Sequence, residues 1–571
     1  MSQNPSASEV AIDASASGVL PIDKPILAEG ADPIRWNSDC DVLVVGFGAA
    51  GASASIEAAH RGASVIVADR FGGGGASARS GGVVYAGGGT RYQNRAGFND
   101  TPDAMYEYLR REVGDAVGES TLRDFCAQSA AMISWLESLG IEFDSTVPPK
   151  KTSYPPDGYY LYFSGNEAVP QFAGEHPPAP RGHRVKGAGL SGSAMFKAMR
   201  AAVDTAGVKV MTQSAVRRLV VDSSSGAVLG AEVWQLPPGA SVARRHRRLS
   251  RWAERLNYTA ASLSDLVRRR ALALELTHAR PIMVRTRGGV VLTTGGFIFN
   301  RAMVSRHAPG YLRNFRLGTS GCDGSGIRLG QSVGGDVAHL ERISAWRFIN
   351  PPLAWARGIV VDSRGSRFCN EEVYGALLGH EMCEHHGGKA WLVIDSHLRR
   401  EAIREALFGG LWAFQSMPAI MLMLTAKRGR TIEDLARKIG ADANLMRLSC
   451  DAYNSGARGG DDAMGKSSAM RQALEAPPFY AVNISAGSRI FPCPVITLGG
   501  LRIDEATGAV KQASADCVPG LYAAGRAAVG IASNHYVSGL ALADCIWSGR
   551  RAGKSASKTA LRNASQARAT A

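Results

Sequence analysis

The sequence predicts an α/β fold with a Rossmann-like sheet, and three observations support this prediction. First, a buried strand, a glycine turn, an alanine-rich helix and a second buried strand follow one another from Asp41 to Asp69. Second, residues 208–211 and 218–222, which are rich in Val, look like short strands. Third, residues 290–294 form another apolar run, which ends in two glycines. Strands that alternate with a helix are typical of α/β sheets.

The first glycine turn has the spacing GxGxxG and contains Gly46, Gly48, Ala49, Ala50 and Gly51. The spacing alone is weak evidence, but here it follows an apolar strand, opens a helix and precedes an acid at the end of the next strand. Gly46 makes the tight turn, Gly48 lets the backbone approach a pyrophosphate, and Gly51 permits close packing of helix and strand. The helix N-terminus faces the phosphate charge, and Asp69 is placed to accept hydrogen bonds from ribose hydroxyls.

A second GxGxxG match, at 187–192, is a decoy, because residues 183–186 before it do not form an apolar strand. With one fingerprint, the chain shows no separate nicotinamide site. This favours FAD as the bound dinucleotide: a flavin that receives electrons from one substrate and passes them to a diffusing acceptor, whose identity stays open.

The net charge of +15 is unevenly distributed along the 571 residues. Residues 244–280 contain ten Lys or Arg and three Asp or Glu, a net of +7, and residues 551–571 contain five basic residues and no acid. The rest of the chain carries only +3. The body therefore has no nucleic-acid footprint, and we expect no nucleic-acid partner.

The segment from about 238 to 280 interrupts the sheet pattern. Leu249, Trp252 and Leu256 fall at helical spacing among arginines, which predicts an amphipathic basic helix. We interpret it as a solvated insertion that FAD binding does not need. The alternative is a peripheral contact with anionic membrane or a partner.

Both ends of the chain lack periodicity, so we predict a mobile leader over 1–36 and a disordered tail over 557–571. No run of 18 apolar residues predicts a membrane span. Nine cysteines stand singly without a CxxC pair, which argues against disulfides and a zinc site and favours the cytoplasm. His380, His385 and His386 have no matching Cys or Asp set, so we expect no metal.

Further motifs follow the fingerprint in a fixed order: the glycine- and serine-rich run 72–82, then 291–297, 365–371, 497–504, 520–525 and 538–544. In this order and spacing the chain resembles the fumarate reductase/succinate dehydrogenase flavoprotein superfamily, including its 3-ketosteroid dehydrogenases. The resemblance runs from about residue 39 to 553, with one insertion. It implies an FAD-binding domain over 37–340 and 482–556, and an inserted α+β catalytic cap over 341–481.

The resemblance also assigns the cofactor-binding residues. Besides the five residues of the first glycine turn and Asp69, they are Arg70, Ser77, Ser80, Gly81, Gly82, Val216, Gly295, Gly525, Gly539, Leu540 and Leu542. Substrate is expected between the two domains, over the flavin ring.

Three departures from the family pattern narrow the function. Gly75 stands where succinate dehydrogenases attach FAD through a His, so FAD should be non-covalent. Gly375 and Tyr536 stand where fumarate reductases carry a proton-donating and a carboxylate-binding Arg. A dicarboxylate needs such cations to offset its charge, so dicarboxylate chemistry is disfavoured.

Tyr374, Tyr536 and Ser538 are the remaining candidate catalytic residues. A Tyr two residues before a Ser resembles the 3-ketosteroid Δ4-(5α)-dehydrogenases. The Δ1-dehydrogenases resemble the chain less well, because their Tyr-Pro-Gly type loop is absent. The alternative is therefore a Δ1-dehydrogenase or another flavin-dependent ene reductase or dehydrogenase of the same superfamily. The resemblance implies removal of the proton alpha to the ketone and hydride transfer from the beta carbon to flavin N5.

We expect Tyr536 to donate a hydrogen bond to the ketone oxygen and Ser538 to accept the proton, with Tyr374 as its relay, although the three roles are interchangeable at this point. A flavin-bearing sensor without turnover is the alternative from another class. The Tyr/Ser set and the absence of an added regulatory domain disfavour it.

Overall fold

The computed structural model describes residues 18–29, 34–172, 174–488 and 490–570, with side chains up to residue 566. Its strands are β1 (Ile26–Ala28), β2 (Ser38–Val45), β3 (Val65–Asp69), β4 (Val83–Tyr85), β5 (Leu161–Tyr162), β6 (Gly182–Arg184), β7 (Lys209–Thr212), β8 (Ser214–Asp222), β9 (Val228–Gln235), β10 (Arg280–Leu292), β11 (Phe315–Arg316), β12 (Val337–Ala338), β13 (Ile343–Ala345), β14 (Ile359–Val361), β15 (Trp391–Ile394), β16 (Lys427–Gly429), β17 (Phe479–Asn483), β18 (Pro494–Thr497), β19 (Gly500–Leu501), β20 (Ala509–Lys511) and β21 (Cys517–Ala523).

The helices are α1 (Ala49–His60), α2 (Arg91–Arg95), α3 (Pro102–Val113), α4 (Glu119–Ser138), α5 (Gly192–Thr205), α6 (Ser241–Leu256), α7 (Ala261–His278), α8 (Arg301–His307), α9 (Ser325–Ser332), α10 (Leu353–Ala356), α11 (Gly375–His385), α12 (Ser396–Phe408), α13 (Ala413–Leu424), α14 (Ile432–Ile439), α15 (Ala443–Ala457) and α16 (Leu540–Thr570). Among the described residues, no helix has both the length and the apolar composition to cross a membrane.

The largest sheet confirms the predicted Rossmann-like α/β fold. Its parallel part runs β7-β3-β2-β10-β21, and β8 and β9 extend it as an antiparallel meander beside β10. The central paired segments 42–45, 65–68 and 290–292 of the parallel part are apolar and buried, as a sheet covered on both faces requires. The carboxyl ends of β2, β3 and β7 therefore meet at one edge, where ligands bind in such sheets.

Small residues bring α1 close to both the sheet and the last helix. A Cβ on Gly51 would lie 2.0 Å from the carbonyl oxygen of Gly46, so only glycine fits where α1 leaves the turn. On α16, a Cβ on Gly549 or Gly553 would lie 2.4 or 2.2 Å from a carbonyl oxygen of α1. Glycine and alanine thus fix how α16 packs over the glycine turn.

A second sheet, β14-β15-β17-β16, forms the core of the cap. Along the chain, helices α10 to α15 precede or lie between the strands of this sheet. The apolar residues of the cap belong to one buried cluster, and those around α1 and the Rossmann-like sheet belong to another. The strands of this sheet lie between residues 359 and 483, so the sheet extends two residues past the segment 341–481 that was assigned to the cap. The domain boundaries themselves stay predictions.

The leader prediction is wrong for residues 18–29. Ile26–Ala28 pair in parallel with β8, and the Leu20 amide donates to the carboxylate of Asp323 at 3.0 Å. Leu20 is buried in a small apolar cluster. A three-residue edge strand has too few apolar positions to show a period in the sequence. Residues 1–17 and 30–33 of the leader lie outside the described residues.

The tail prediction is also wrong, because α16 continues to Thr570. Ser557 and Ala560 are buried, and a Cβ on Gly288 of β10 would lie 2.8 Å from the Ala560 methyl. The Tyr522 hydroxyl lies 2.9 Å from Thr559 Oγ1. The Ala- and Ser-rich composition that suggests disorder is here a narrow helix face that packs closely on the sheet.

The basic insertion is helical, as predicted, and connects β9 to β10. The strands pair up to Gln235 and Arg280, and α6 and α7 occupy the connection between them. Trp252 is 57% exposed, while Leu249 and Leu256 are half-buried.

Candidate active site

One elongated cavity of about 1130 Å³ contains most of the predicted site residues. Its first end lies at the glycine turn after β2, and its second end lies among aromatic side chains from the cap and the loop before α16. The predicted residues that line it are Gly46, Gly48, Ala49, Ala50, Asp69, Arg70, Ser77, Ser80, Gly81, Val216, Gly295, Tyr374, Tyr536, Ser538, Gly539 and Leu542. We call its two ends the glycine end and the aromatic end.

Four predicted cofactor residues lie behind this lining: Gly51, Gly82, Gly525 and Leu540. Gly82 has a φ of +62°, and its Cβ would lie 2.6 Å from the Ser191 carbonyl carbon. Gly525 has a φ of +60° and donates its amide to the buried Ser548 hydroxyl at 3.0 Å. Their role toward a ligand stays a prediction.

Asp69 organises the glycine end through the backbone. Its Oδ2 accepts from the Phe47 amide at 2.9 Å, and its Oδ1 accepts from the Phe71 and Gly73 amides, each at 2.9 Å. These bonds tie the first glycine turn to the start of the Ser/Gly-rich run. The sequence pattern did not indicate this backbone role of Asp69. The predicted contact of Asp69 with a ribose hydroxyl would be an additional role.

The Ser/Gly-rich run closes the cavity beside the N-terminus of α1. Ser77 Oγ accepts from the Ala49 amide at 3.0 Å, and Ser80 Oγ donates to the Ser77 carbonyl at 2.7 Å. A Cβ on Gly48 would have only Ser77 Oγ, at 3.4 Å, and the Gly74 carbonyl oxygen, at 3.9 Å, nearby. The missing side chain at Gly48 thus leaves open space in the cavity at the position where the motif brings a pyrophosphate.

Arg70 and Arg526 differ in how their guanidinium groups are engaged. Arg70 donates to Glu275 at 2.8 Å and to Asp323 at 2.9 Å, so its charge is paired within the protein. Arg526 lines the cavity and makes a 3.6 Å contact with Cys322 Sγ, and its Nη1 is buried without a hydrogen-bond partner among the described residues. Sequence reasoning missed Arg526, although it directly follows the glycine of the motif at 520–525.

These observations fit FAD. A glycine turn with open space beside it, at the edge where parallel strands end, accommodates a dinucleotide pyrophosphate. The unpartnered N–H of Arg526 offers a further donor to an anionic ligand in the same cavity.

At the aromatic end, hydroxyl groups from three distant parts of the chain meet. Ser538 Oγ lies 3.1 Å from the hydroxyl of Tyr162, which is on β5. Tyr374 precedes α11 in the cap, and Tyr536 is two residues before Ser538. The rings of Trp346 and Tyr536 are 4.7 Å apart, and those of Phe348 and Tyr374 are 5.4 Å apart. The structure therefore brings the three predicted catalytic residues to one end of the cavity.

The phenols at this end are held neutral. Burial raises the pKa of Tyr536 to about 12, although the cation of Arg526 opposes the rise. Burial also raises the pKa values of Tyr374 and Tyr162, and the Ser538 hydroxyl opposes both rises. At neutral pH these groups are hydrogen-bond donors rather than phenolate bases.

Sequence reasoning missed two residues beside this cluster, Tyr162 and Glu167. Tyr162 is buried in a three-stranded sheet, β4-β6-β5, that no motif marks. Glu167 is buried, its Oε1 has no hydrogen-bond partner among the described residues, and burial raises its pKa. Its charge contributes to the raised pKa values of Tyr162 and Tyr374, so it lies near both phenols. Neither residue carries a local sequence pattern.

The cap histidines have a partner that the sequence analysis did not find. His380, Glu381 and His385 each offer a ligand atom, and these atoms lie within 4.8 Å of one another. The His380 ring is also 4.8 Å from the His535 ring, beside Tyr536. His385 is exposed, and such surface groups are common without an ion, so we assign no metal here.

Comparison with known proteins identifies relatives along nearly the whole chain. The model of the FAD binding domain family matches residues 41–539. The chain is 45% identical over 523 residues to the 3-oxo-5-alpha-steroid 4-dehydrogenase of Comamonas testosteroni, covering 89% of this chain and 96% of that protein. It is 26% identical to the 3-oxosteroid 1-dehydrogenase of Mycolicibacterium smegmatis, covering 87% of this chain and 94% of that protein.

The chain is also similar in structure to a solved 3-ketosteroid dehydrogenase. The 3-ketosteroid-Δ4-(5α)-dehydrogenase from Rhodococcus jostii RHA1, in complex with 4-androstene-3,17-dione, is 29% identical to this chain. The similarity has a TM-score of 0.78 and covers 94% of this chain and all of that one.

Proposed function

Because the chain belongs to the FAD binding domain family, we propose that it is an FAD-dependent oxidoreductase that desaturates a 3-ketosteroid at the C4–C5 bond. It converts a 3-keto-5α-steroid to a 3-keto-4-ene steroid. The observation that carries the proposal is 45% identity to a 3-oxo-5-alpha-steroid 4-dehydrogenase over 96% of that enzyme's length.

The cavity suits this substrate class. Where dicarboxylate enzymes carry two arginines, this chain has Gly375 and Tyr536, so two substrate carboxylates would lack these partners. The residues that line the aromatic end are largely apolar and include Trp346, Phe348, Trp355, Phe414, Leu422 and Phe491. An apolar, multi-ring hydrocarbon is stabilised by burial against such side chains.

In this reaction Tyr536 donates a hydrogen bond to the C3 ketone oxygen and stabilises the charge that develops there when C4 loses a proton. A phenol whose pKa is raised to about 12 stays protonated and keeps this role across neutral pH. Ser538 accepts the C4 proton. Since a serine hydroxyl is a weak base, it must give up its own proton at the same time, to the phenol oxygen of Tyr162, 3.1 Å away, or of Tyr374. That phenol passes its own proton on to solvent, so it acts as a relay and stays neutral. Bound FAD supplies the acceptor for the hydride that leaves C5.

Anaerobic mixing of the holoenzyme with a 3-keto-5α-steroid tests this proposal. We expect the flavin absorbance to bleach and the product to be the 4-ene. Bleaching with a 1-ene product would identify a Δ1-dehydrogenase instead. No bleaching with any saturated 3-ketosteroid would support a sensor without turnover.

We also propose that FAD is held without a covalent bond. Gly75 has a φ of +47°, and nothing lies within 4 Å of the position of its missing Cβ. The position that carries the attaching His in succinate dehydrogenases therefore offers no nucleophile. Acid precipitation should release yellow flavin into the supernatant, and colour that stays in the protein pellet would contradict this.

The electron acceptor is proposed to be a diffusing molecule, and the cytoplasm is the proposed location. Peripheral membrane contact is proposed for the outer groove of α6, which is lined by Arg244, Arg248, Trp252 and Arg255. Arginines beside an exposed Trp favour anionic lipid surfaces, where steroids also partition. Co-sedimentation with anionic vesicles should fall as salt is added. Co-sedimentation that is absent or independent of salt would contradict this.

A further inference from the structure

The inserted helix α6 forms part of the cavity wall instead of standing apart from the cavity. Five of its residues line the same cavity as the glycine turn: His246, Arg247, Ser250, Arg251 and Glu254. We expected from the sequence that FAD binding does not need the basic insertion. The position of α6 in the cavity wall argues against that expectation. The helix starts beside Gln213, which directly follows β7 at the carboxyl edge of the parallel strands.

A buried network fixes the first part of α6 to the sheet. Gln213 Nε2 lies 2.8 Å from His246 Nδ1 and donates to the Ala243 carbonyl at 2.9 Å. His246 Nε2 lies 2.8 Å from Glu275 on α7, and Glu275 accepts from Arg70 at 2.8 Å. Burial opposes ionisation, but Arg70 and His246 hold the pKa of Glu275 below its ordinary value. The insertion is thus tied to the residue that follows Asp69.

A second contact fixes the other part of α6 to different residues beside the cavity. Glu254 accepts from the Ser320 amide at 2.8 Å and pairs with Arg79, in the Ser/Gly-rich run, at 3.3 Å. His246 and Glu254 are eight residues apart, which corresponds to about 12 Å of helix. The stretch between the two attachments, which includes Ser250, is therefore held against the cavity at both of its ends.

Two arginines on this stretch face the cavity. Arg247 and Arg251 are one turn apart, and both line the cavity as well as the outer groove. Arg247 also donates to Gln213 Oε1 at 3.4 Å, which places its guanidinium beside the end of β7. Arg245 lies on the same helix, is equally exposed and lines neither the cavity nor the groove.

We propose that α6 is a cofactor-binding strap, in which Arg247 and Arg251 bind the anionic adenosine diphosphate half of FAD. Gly46, Gly48 and Asp69 would hold the pyrophosphate and a ribose of the dinucleotide, and Arg247 and Arg251 line the same cavity. Guanidinium groups bind phosphate oxygens through charge-assisted, often paired hydrogen bonds. This proposal rests on FAD binding and does not depend on the identity of the substrate.

The test measures the release of FAD from the purified full-length holoenzyme by the rise in flavin fluorescence on dilution. We expect R247A and R251A each to raise the Kd for FAD roughly tenfold, since each removes a hydrogen bond to a charged group. R247K should recover part of the affinity. The matched control R245A removes the same charge from the same helix and should change the Kd less than about twofold.

Two results would overturn the proposal. If R247A and R251A have the same Kd for FAD as the wild type, the strap does not contact the cofactor. If R245A weakens binding as much as they do, the effect is one of bulk charge and not of contact. Steroid-dependent bleaching is measured separately on the wild-type holoenzyme, so a failure of the strap is distinguishable from a failure of the proposed function.

Discussion

The two ends of the cavity are built in different ways. The glycine end is shaped by backbone: glycines leave space, and Asp69 and Ser77 hold the turns through main-chain amides. The aromatic end is shaped by side chains from β5, the cap and the loop before α16. This difference predicts that substitutions at the first end affect whether FAD stays, whereas substitutions at the second affect how fast it is reduced.

The largest expected effect is at Gly48. In G48V the new side chain fills the open space beside the turn, so we expect bound flavin to be lost while the fold remains. Absorbance after gel filtration measures the flavin, and circular dichroism measures the fold. G51A is the contrast, because its Cβ would lie 2.0 Å from a backbone oxygen and should disturb the turn itself. A G48V protein that retains flavin would contradict this account of the glycine end.

At the aromatic end, Y536F removes one donor and keeps the ring. Loss of a donor to a developing oxyanion costs about 2.7–4 kcal/mol, which is roughly a hundred- to a thousandfold in rate. We expect an intact flavin spectrum and slower bleaching by that factor in stopped-flow mixing. Bleaching at the wild-type rate would remove Tyr536 from the catalytic set.

Variants of Ser538 and Tyr162 test whether these two residues of the aromatic end act together in flavin reduction. S538A should slow the same half-reaction about a hundredfold, because it removes the proposed proton acceptor. Y162F removes only the 3.1 Å hydrogen bond to Ser538, and a typical bond of about 1 kcal/mol corresponds to about fivefold. If the two act as a unit, the double variant should be no slower than S538A. Independent, multiplicative losses would separate Tyr162 from the reaction.

The last expected effect is on stability and lies outside the two ends of the cavity. His183 lies on β6 beside the strand that carries Tyr162, and burial lowers its pKa to about 4. Its Nε2 lies 2.8 Å from Thr90 Oγ1. Because the unfolded chain binds a proton at a pH below about 6.5 and the folded chain does so only near 4, stability is lost as the pH falls through this window, by up to about 3 kcal/mol.

Urea unfolding midpoints between pH 4 and pH 7 measure this effect. H183Q has a neutral side chain at every pH, so its midpoint should fall less steeply with acid than that of the wild type. Equal slopes would mean that other groups govern the acid limit.

The sequence predicts the glycine end well because its determinants are local. Gly46 to Asp69 lie within one strand–helix–strand unit, and the motif implies the geometry directly. The aromatic end is different, since Tyr162, Tyr374 and Ser538 are more than 150 residues apart from one another. Only the family resemblance connected Tyr374 to Ser538, and Tyr162 had no motif to reveal it.

The basic insertion and the C-terminal tail show a second limit of prediction from the sequence. Helical spacing predicts that α6 is a helix, but Trp252 of the predicted apolar face is 57% exposed, whereas Ala243, His246 and Ala253 are buried. What the arginine face covers depends on the β9–β10 connection, which the spacing does not show. In the tail, alanine is both a frequent residue in low-complexity segments and the best helix former. Packing on Gly288 of β10 decides between these two states, and that contact is not visible in the composition.

The proposed function requires that the aromatic end directs desaturation to the C4–C5 bond. Anaerobic mixing with a 3-keto-5α-steroid that carries deuterium at C5 is the sharpest test of this requirement. We expect flavin bleaching to be slower than with the unlabelled substrate and the 4-ene product to have lost its deuterium, because the hydride comes from C5. Bleaching at an unchanged rate, with deuterium retained in a 1-ene product, would contradict it.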